Sequence, residues 1–262
     1  MTSEPHSEST SPRYVRVLSI AGSDSGGGAG IQADLKTFAA LGCYGMTAIT
    51  AITAQNTQGV RAIHGVPPEM LRAQIDAVVE DIGVDAVKIG MIGSAKTADA
   101  VADYLKRLAV PIVFDPVMIA TSGAELADAQ TISAFEQLMA IASLVTPNLP
   151  ELEALGGTKP ILAHGCHLLV KGGHGAGDDI VDRLMSPRGQ VREWHGERID
   201  TTHTHGTGCT LASAIACGLG QGLAIDLAIE RAISFVRIAL IEAPGLGAGH
   251  GPMGQQNVVD FQ

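Results

Sequence analysis

Short apolar runs alternate along most of the chain with longer stretches in which apolar residues recur at helical spacing. The runs are bounded by turn residues and predict buried strands at 14–20, 46–53, 86–89, 111–114, 143–146 and 168–171. The stretches between them predict amphipathic helices, as where Leu71, Ile75 and Val78 follow at steps of four and three. This alternation predicts an α/β fold with a mostly parallel central sheet covered by helices on both faces.

The second half of the chain adds a hairpin and two long helices to this pattern. Residues 184–194, interrupted by Ser186-Pro187-Arg188-Gly189, predict a β-hairpin at the edge of the sheet. Helices are expected over 210–219 and 224–243. The last of them is apolar nearly all round, so we expect it to be well buried.

Composition narrows the class of protein. With 262 residues, 46% of them hydrophobic, the chain is long enough for one large core, and no linker-like break divides it. We expect one domain over 14–262 after a disordered tail, residues 1–13, that lacks the apolar region of a signal peptide. A net charge of -10 argues against sequence-independent nucleic-acid binding. No run reaches the roughly 18 apolar residues of a membrane span, so no membrane partner is expected.

Four cysteines are present, none in a C-x-x-C pair, and no secretion signal precedes them. They are therefore expected to be reduced thiols in the cytoplasm. His164, Cys166, His167, His203 and His205 fit no common zinc spacing, so no transition-metal site is expected.

The run from His205 to Thr210 stands directly before the 210–219 helix and predicts an anion hole. Its two glycines allow backbone N–H groups to converge, and the helix start adds unpaired donors and a positive dipole end. Such a hole most often binds phosphate. The local field is expected to favour the thiolate of Cys209. A nucleophilic or basic thiol in an anion hole indicates phosphoryl transfer.

Several motifs follow predicted strands, and ligands of such sheets bind beyond the carboxyl ends of the strands. The glycine-rich loop 22–30 matches neither a P-loop nor G-x-G-x-x-G, so it is either a flexible turn or a loop lying against a bound ring. Gln55 offers a donor and an acceptor that suit an aminopyrimidine edge, although a surface role is also compatible with its position.

Charged residues at other strand ends suit a nucleotide. Asp115, together with Asn148 and Glu151, would organise Mg²⁺ and its waters around a triphosphate. Asn148 and Glu151 also have the spacing of a helix capping box, and the two roles are compatible. Lys171 is either a phosphate-binding ammonium or a solvated lysine at a strand end.

Taken together, these motifs resemble the ribokinase-type kinases and, within them, the hydroxymethylpyrimidine/phosphomethylpyrimidine kinases of thiamine biosynthesis. The resemblance runs from about residue 15 to 252. It is carried by A-G-S-D-S-G-G-G-A-G-I-Q-A-D-L-K-T, T-A-Q-N-T, K-I-G-M, D-P-V-M, T-P-N-L-P-E, V-K-G-G-H, T-H-G-T-G-C-T-L and G-H-G-P. The long first motif together with G-T-G-C is highly specific.

The resemblance implies a ribokinase-like three-layer α/β/α sandwich and a set of site residues. The pyrimidine pocket would be lined by Gly22, Gln55, Met91 and Val117. Lys171 and Asn148 would serve ATP, the co-substrate, and Asp115 with Glu151 would support Mg²⁺ through water. Gly206, Thr207, Gly208 and Cys209 would form the anion hole for the transferred phosphoryl group. Cys209 would be catalytic, standing where many sugar kinases of this fold carry Asp.

The implied activity is ATP-dependent phosphorylation of 4-amino-5-hydroxymethyl-2-methylpyrimidine to its monophosphate and then to its diphosphate. The alternatives are a pyridoxal kinase on the same frame and, more remotely, a catalytically silent pyrimidine-binding regulator. A homo-oligomer, a dimer or larger, is expected. One departure is the segment 156–167, only twelve residues long, where the family usually has an extra helix.

Overall fold

The computed structural model describes residues 14–121, 123–174, 179–259 and 261. The predicted tail, residues 1–13, therefore lies outside the described residues. The strands are β1 Arg16–Asp24, β2 Tyr44–Asn56, β3 Gly59–Gly65, β4 Ala86–Ile89, β5 Ile112–Phe114, β6 Leu144–Val145, β7 His167–Val170, β8 Asp179–Met185 and β9 Val191–Glu197. The α-helices are α1 Gly30–Ala40, α2 Pro68–Asp81, α3 Ala95–Leu105, α4 Ala129–Met139, α5 Leu149–Ala154, α6 Thr158–Ala163, α7 Thr207–Gly220 and α8 Ile225–Ile241.

All of these strands belong to one sheet, in the order β3-β2-β1-β4-β5-β6-β7-β8-β9. Six adjacent strands are parallel, namely β2, β1, β4, β5, β6 and β7. An antiparallel strand closes one edge at β3, and the antiparallel hairpin β8–β9 closes the other. The α/β class, the mostly parallel sheet and the edge hairpin are thereby confirmed.

Two apolar layers cover the sheet, because side chains of successive strand residues point to opposite faces. On one face, Leu18, Ile20 and Ile89 pack with residues of α2, α3 and α4. On the other, Val17 and Val113 pack with residues of α1, α7 and α8. The result is the expected three-layer α/β/α sandwich, whose parallel strands all end at the same rim.

Three features differ from the sequence analysis. Strand β3 was not foreseen, because its residues are mostly exposed and lack a clear apolar alternation. The segment 156–167 does contain a helix, the six-residue α6, whose Ile161 is buried. Helix α8 is not buried all round, since Leu227 and Ile241 are exposed while Ala228, Ile229 and Phe235 form its buried face. Apolar content alone did not reveal which side of α8 faces the sheet.

The described helices include none that is both long and apolar enough to span a membrane.

Candidate active site

Helix α7 begins at a turn that only glycine can form. Gly206, its N-cap residue, has a φ of +85°, and a Cβ there would lie 1.9 Å from the carbonyl oxygen of Gly28. A Cβ at Gly28 would in turn lie 2.3 Å from Cδ2 of His205. The turn before α7 and the glycine-rich loop after β1 are thus in direct backbone contact. The N–H groups of the first turn of α7 have no acceptor inside the helix, and they lie at this contact between the turn and the loop.

Asp24 holds the glycine-rich loop in place. Its buried carboxylate accepts hydrogen bonds from the backbone N–H groups of Gly26 (2.8 Å), Gly28 (3.0 Å) and Ala29 (2.9 Å). Nε2 of His205 lies 2.9 Å from Oδ2 of the same carboxylate. Burial alone would raise the pKa of Asp24, but these hydrogen bonds outweigh it and lower the pKa. These contacts favour an ordered loop over a flexible turn.

Asp24 and His205 were both missed as site residues. The observation that places them at the site is the contact between their side chains, which joins positions 181 residues apart. No local pattern reports such a contact, although both residues stand inside the motifs quoted above.

A lysine and two carboxylates meet on the other side of the start of α7. Lys171 Nζ lies 2.7 Å from Oδ1 of Asp115 and 4.0 Å from Oε2 of Glu151. The hydroxyl group of Thr146 donates to the same Asp115 oxygen at 3.1 Å. Lys171 is mostly buried, so it is not the solvated lysine of the alternative interpretation. Burial alone would lower the pKa of Lys171, but Asp115 and Glu151 raise it above the usual value.

Asn148 and Glu151 form the predicted capping box of α5. Oδ1 of Asn148 accepts from the Glu151 backbone N–H, and Oε2 of Glu151 accepts from that of Asn148, both at 2.8 Å. Burial raises the pKa of Glu151, Lys171 lowers it and Asp115 raises it, with a net increase. The capping role is confirmed, and it places the Glu151 carboxylate beside Lys171.

Gly208 connects this charged group to the anion hole. A Cβ at Gly208 would lie 3.3 Å from both Oδ2 of Asp115 and Nζ of Lys171. The first turn of α7 therefore lies directly over the Asp115–Lys171 pair. Residues from four separate parts of the sequence meet here, at the carboxyl ends of β5, β6 and β7.

Cys209, in the first turn of α7, is half-buried and free. Burial is the largest influence on its thiol and raises the pKa to about 11. Lys88 lowers this pKa, while Asp34 and Asp115 raise it. The expectation of a thiolate is therefore wrong for the protein without its substrates. The sequence shows the favourable helix start but not the loss of hydration that opposes it.

Gly22 and Met91, two of the residues assigned to the pyrimidine pocket, are neighbours. A Cβ at Gly22 would lie 2.9 Å from Sδ of Met91, so glycine permits this approach. Met91 also lines a cavity of about 370 Å³ together with Ala51, Ile63 and Leu126.

The other three residues assigned to the pyrimidine, Gly22, Gln55 and Val117, do not line that cavity. Gln55 accepts from the hydroxyl group of Thr53 at 3.1 Å, and its Nε2 lies 3.3 Å from Nε2 of His205. Val117 follows Asp115, to whose carbonyl oxygen its backbone N–H donates at 2.8 Å. The structure brings Gly22 to Met91 and Gln55 to His205, but it does not assemble all four around one cavity.

Asp115 and Glu151 are the candidate donors for a magnesium ion. Within the described ranges, no three His, Cys, Asp or Glu side chains are grouped so as to hold a metal ion. Asp115 and Glu151 nevertheless supply the oxygen donors that Mg²⁺ prefers, and Mg²⁺ commonly keeps several waters and binds one or two carboxylates plus phosphates. Oδ2 of Asp115 faces the start of α7, where a phosphate would bind. The residues fit a water-mediated magnesium site.

The chain is similar over most of its length to proteins of one known family. The family profile of phosphomethylpyrimidine kinase matches residues 24–254. The hydroxymethylpyrimidine/phosphomethylpyrimidine kinase of Streptomyces coelicolor is 46% identical over 252 residues, covering 90% of this chain and 93% of the relative. The protein of that name from Bacillus subtilis is 42% identical over 252 residues, with the same coverage.

Solved structures show the same fold. Phosphomethylpyrimidine kinase from Clostridium difficile aligns with a TM-score of 0.75 at 39% identity, covering 86% of this chain and 99% of that one. Pyridoxal kinase from Bacillus subtilis, solved with ADP, aligns with a TM-score of 0.85 at 33% identity, covering 93% and 98%. The fold and site therefore define a ribokinase-like vitamin kinase. More specifically, the chain belongs to the phosphomethylpyrimidine kinase family.

Proposed function

We propose that this chain transfers two phosphoryl groups in succession from ATP, first to 4-amino-5-hydroxymethyl-2-methylpyrimidine and then to the monophosphate so formed, in thiamine biosynthesis. The observation that carries the proposal is the position of Gly208, next to Cys209 in the first turn of α7, directly over the Asp115–Lys171 pair in a chain of this family. We further propose that residues 14–262 act as a single kinase domain in the cytoplasm.

Each site residue has a role in this proposal. Backbone N–H groups of Gly206, Thr207, Gly208 and Cys209 stabilise the charge on the transferred phosphoryl group. Lys171 and Asn148 bind the ATP phosphates. Asp115 and Glu151 would hold Mg²⁺ through water, and the ion would supply positive charge to offset that of the phosphates. Gly22, Gln55, Met91 and Val117 contact the pyrimidine, Gln55 at its edge.

In the first transfer we assign Cys209 the role of proton acceptor. The thiol first loses its proton to solvent, and its high pKa makes this step unfavourable in the substrate-free protein. The thiolate then accepts the hydroxyl proton of the substrate as that oxygen attacks the γ-phosphorus of ATP. A P–O bond forms, the bond to the β-phosphate oxygen breaks, and ADP leaves.

In the second transfer the attacking oxygen belongs to the monophosphate. Because a phosphate monoester is already anionic near neutral pH, a base matters less and charge neutralisation matters more. Cys209→Ala is therefore expected to lower kcat/KM of the first transfer more than that of the second. Cys217→Ala is a matched control in the same helix, buried two turns further on. Equal losses in both transfers would reject the base role and leave Cys209 a positioning role.

The first experiment is an ATP-consumption assay with 4-amino-5-hydroxymethyl-2-methylpyrimidine in which products are resolved by mass. Successive appearance of the monophosphate and the diphosphate is expected. The same assay with pyridoxal tests the alternative that the chain is a pyridoxal kinase. The TM-score of 0.85 to a solved pyridoxal kinase is the reason to test it. Turnover of pyridoxal alone, with no pyrimidine product, would overturn the proposal. Tight pyrimidine binding without ATP turnover would identify a silent regulator.

We also propose that the protein is a homo-oligomer, a dimer or larger. In support, β3 is an edge strand, and its hairpin with β2 exposes an isoleucine on each face, Ile52 and Ile63. Edge strands and exposed apolar side chains both favour association. Sedimentation equilibrium is expected to give at least twice the 27.0 kDa chain mass. A monomer at micromolar concentration would reject the proposal.

A further inference from the structure

A charged pair lies in the middle of the sheet, beneath α7. Lys88, on β4, and Asp34, on α1, both have fully buried side chains. Nζ of Lys88 lies 2.9 Å from each carboxylate oxygen of Asp34. Ser19 on β1 and Ser213 on α7 donate their hydroxyl groups to the same carboxylate at 2.6 Å and 2.7 Å. The network joins two strands of the sheet to two helices of the layer that covers one face.

Packing does not explain this pair. The surroundings on that face are apolar, with Val17, Ala86 and Val113 on the same face of the sheet. Replacing a buried ion pair with apolar residues of similar volume is often neutral or stabilising, so such a pair is weak evidence of a structural role. The site described above does not use it either.

The position of the pair relative to α7 provides an explanation. Ser213 follows Cys209 by four residues, so both lie on the same face of α7, one turn apart. That face is directed towards Lys88 and Asp34. Four charged groups act on the thiol: Lys88 from β4, Asp34 from α1, Asp115 after β5 and Lys171 after β7.

Of the three charged groups with the strongest effect on the pKa of the Cys209 thiol, Lys88 has the largest effect. It lowers this pKa, whereas Asp34 and Asp115 raise it. We propose that Lys88, oriented by Asp34, is a positioning residue for Cys209: a buried ammonium that stabilises negative charge at the start of α7. The consequence of Lys88 for catalysis rests on the proposed function, whereas its effect on the pKa of the Cys209 thiol does not. The effect of Lys88 on this pKa can therefore be measured without substrates.

The experiment follows alkylation of Cys209 by iodoacetamide between pH 7 and 11 in the full chain, with the modified peptide quantified by mass. Lys88→Met combined with Asp34→Asn removes both charges and leaves no unpaired ion. Because Lys88 outweighs Asp34 at the thiol, the combined variant is expected to react more slowly, by about threefold or more at pH 9 for a shift of half a pKa unit.

Asp34→Asn alone is expected to act in the same direction. It leaves Lys88 fully buried without its counter-ion, so burial lowers the pKa of Lys88 and favours the neutral amine, and alkylation at pH 9 should become slower. Ser213→Ala is the matched control, because it removes one hydrogen bond to Asp34 and changes no charge. Its alkylation profile should match that of the unmodified protein. Circular dichroism confirms that each variant is folded.

Slower alkylation in both charge variants supports the proposal. If either variant, when folded, reacts with the unmodified profile or faster, the proposal is overturned. Should the double variant not fold, the sign of the Asp34→Asn effect decides alone. These outcomes are independent of the kinase assay: a protein without pyrimidine turnover can still show the shifts, and an active kinase can lack them.

Discussion

Gly206→Ala is the substitution for which the structure gives the sharpest expectation. The φ of +85° puts Gly206 in the left-handed region, which costs a residue with a Cβ about 1–2 kcal/mol. The new Cβ would also lie 1.9 Å from the carbonyl oxygen of Gly28, so the glycine-rich loop or the start of α7 must move. Overpacking of this kind typically costs a further ~1–3 kcal/mol. The expected loss of stability is therefore about 2–5 kcal/mol in total.

Gly222→Ala is a matched control. Gly222 has the same φ of +85°, but a Cβ there meets nothing within 4 Å. Its expected cost is the backbone strain alone, about 1–2 kcal/mol. The difference between the two variants isolates the contact between Gly206 and Gly28.

Urea unfolding of both variants measures the stability difference, and the two-step kinase assay measures the functional one. Displacement of the anion hole by about 1 Å is expected to lower kcat on the order of 10²-fold in Gly206→Ala, with little change in Gly222→Ala. Equal destabilisation together with equal kcat in the two variants would show that the Gly206–Gly28 contact neither limits packing nor positions the site.

Three further predictions concern the core and the charged group. Glu151 has a raised pKa in the folded protein, so its contribution to stability is complete below its ordinary value of 4.5 and is lost as the pH rises through the raised pKa. Glu151→Gln should remove this part of the pH dependence of urea midpoints, and parallel curves would contradict the assignment. Lys171→Met leaves Asp115 buried without its cation and should cost about 3–5 kcal/mol in urea unfolding, with a raised KM for ATP; an unchanged KM would exclude Lys171 from nucleotide binding. Phe135→Ala removes a fully buried ring packed edge-on against Phe114 at 5.2 Å and should cost about 3–5 kcal/mol, whereas Phe135→Leu should cost less, as thermal unfolding will show.

The position of Cys209 also has a consequence for its chemistry. A thiol at a helix start is commonly treated as reactive, because the dipole favours its anion. Here burial outweighs that effect and raises the pKa to about 11. Because burial opposes ionisation of the thiol, its reactivity depends on nearby charges that favour the thiolate. In the proposal above, Lys88 is the charge that does so.

The amino-acid sequence by itself determined the features that arise from neighbouring residues. The alternation of apolar runs and helical spacing indicated the α/β sandwich, and the turn residues at 186–189 indicated the hairpin β8–β9. The spacing of Asn148 and Glu151 indicated the capping box, and the glycines at 206 and 208 indicated the start of α7. Each of these depends on propensities that act over a few residues.

Only the tertiary structure decided which distant residues meet and how far they are removed from water. The pairing of β3 with β2 depends on neighbouring elements, because the exposed strand carries little pattern of its own. The Asp34–Lys88 and Asp24–His205 contacts join positions 54 and 181 residues apart. The protonation state of Cys209 follows from burial, which is a property of the assembled layers. Desolvation and long-range charge are set by three-dimensional neighbours, and no local pattern encodes them.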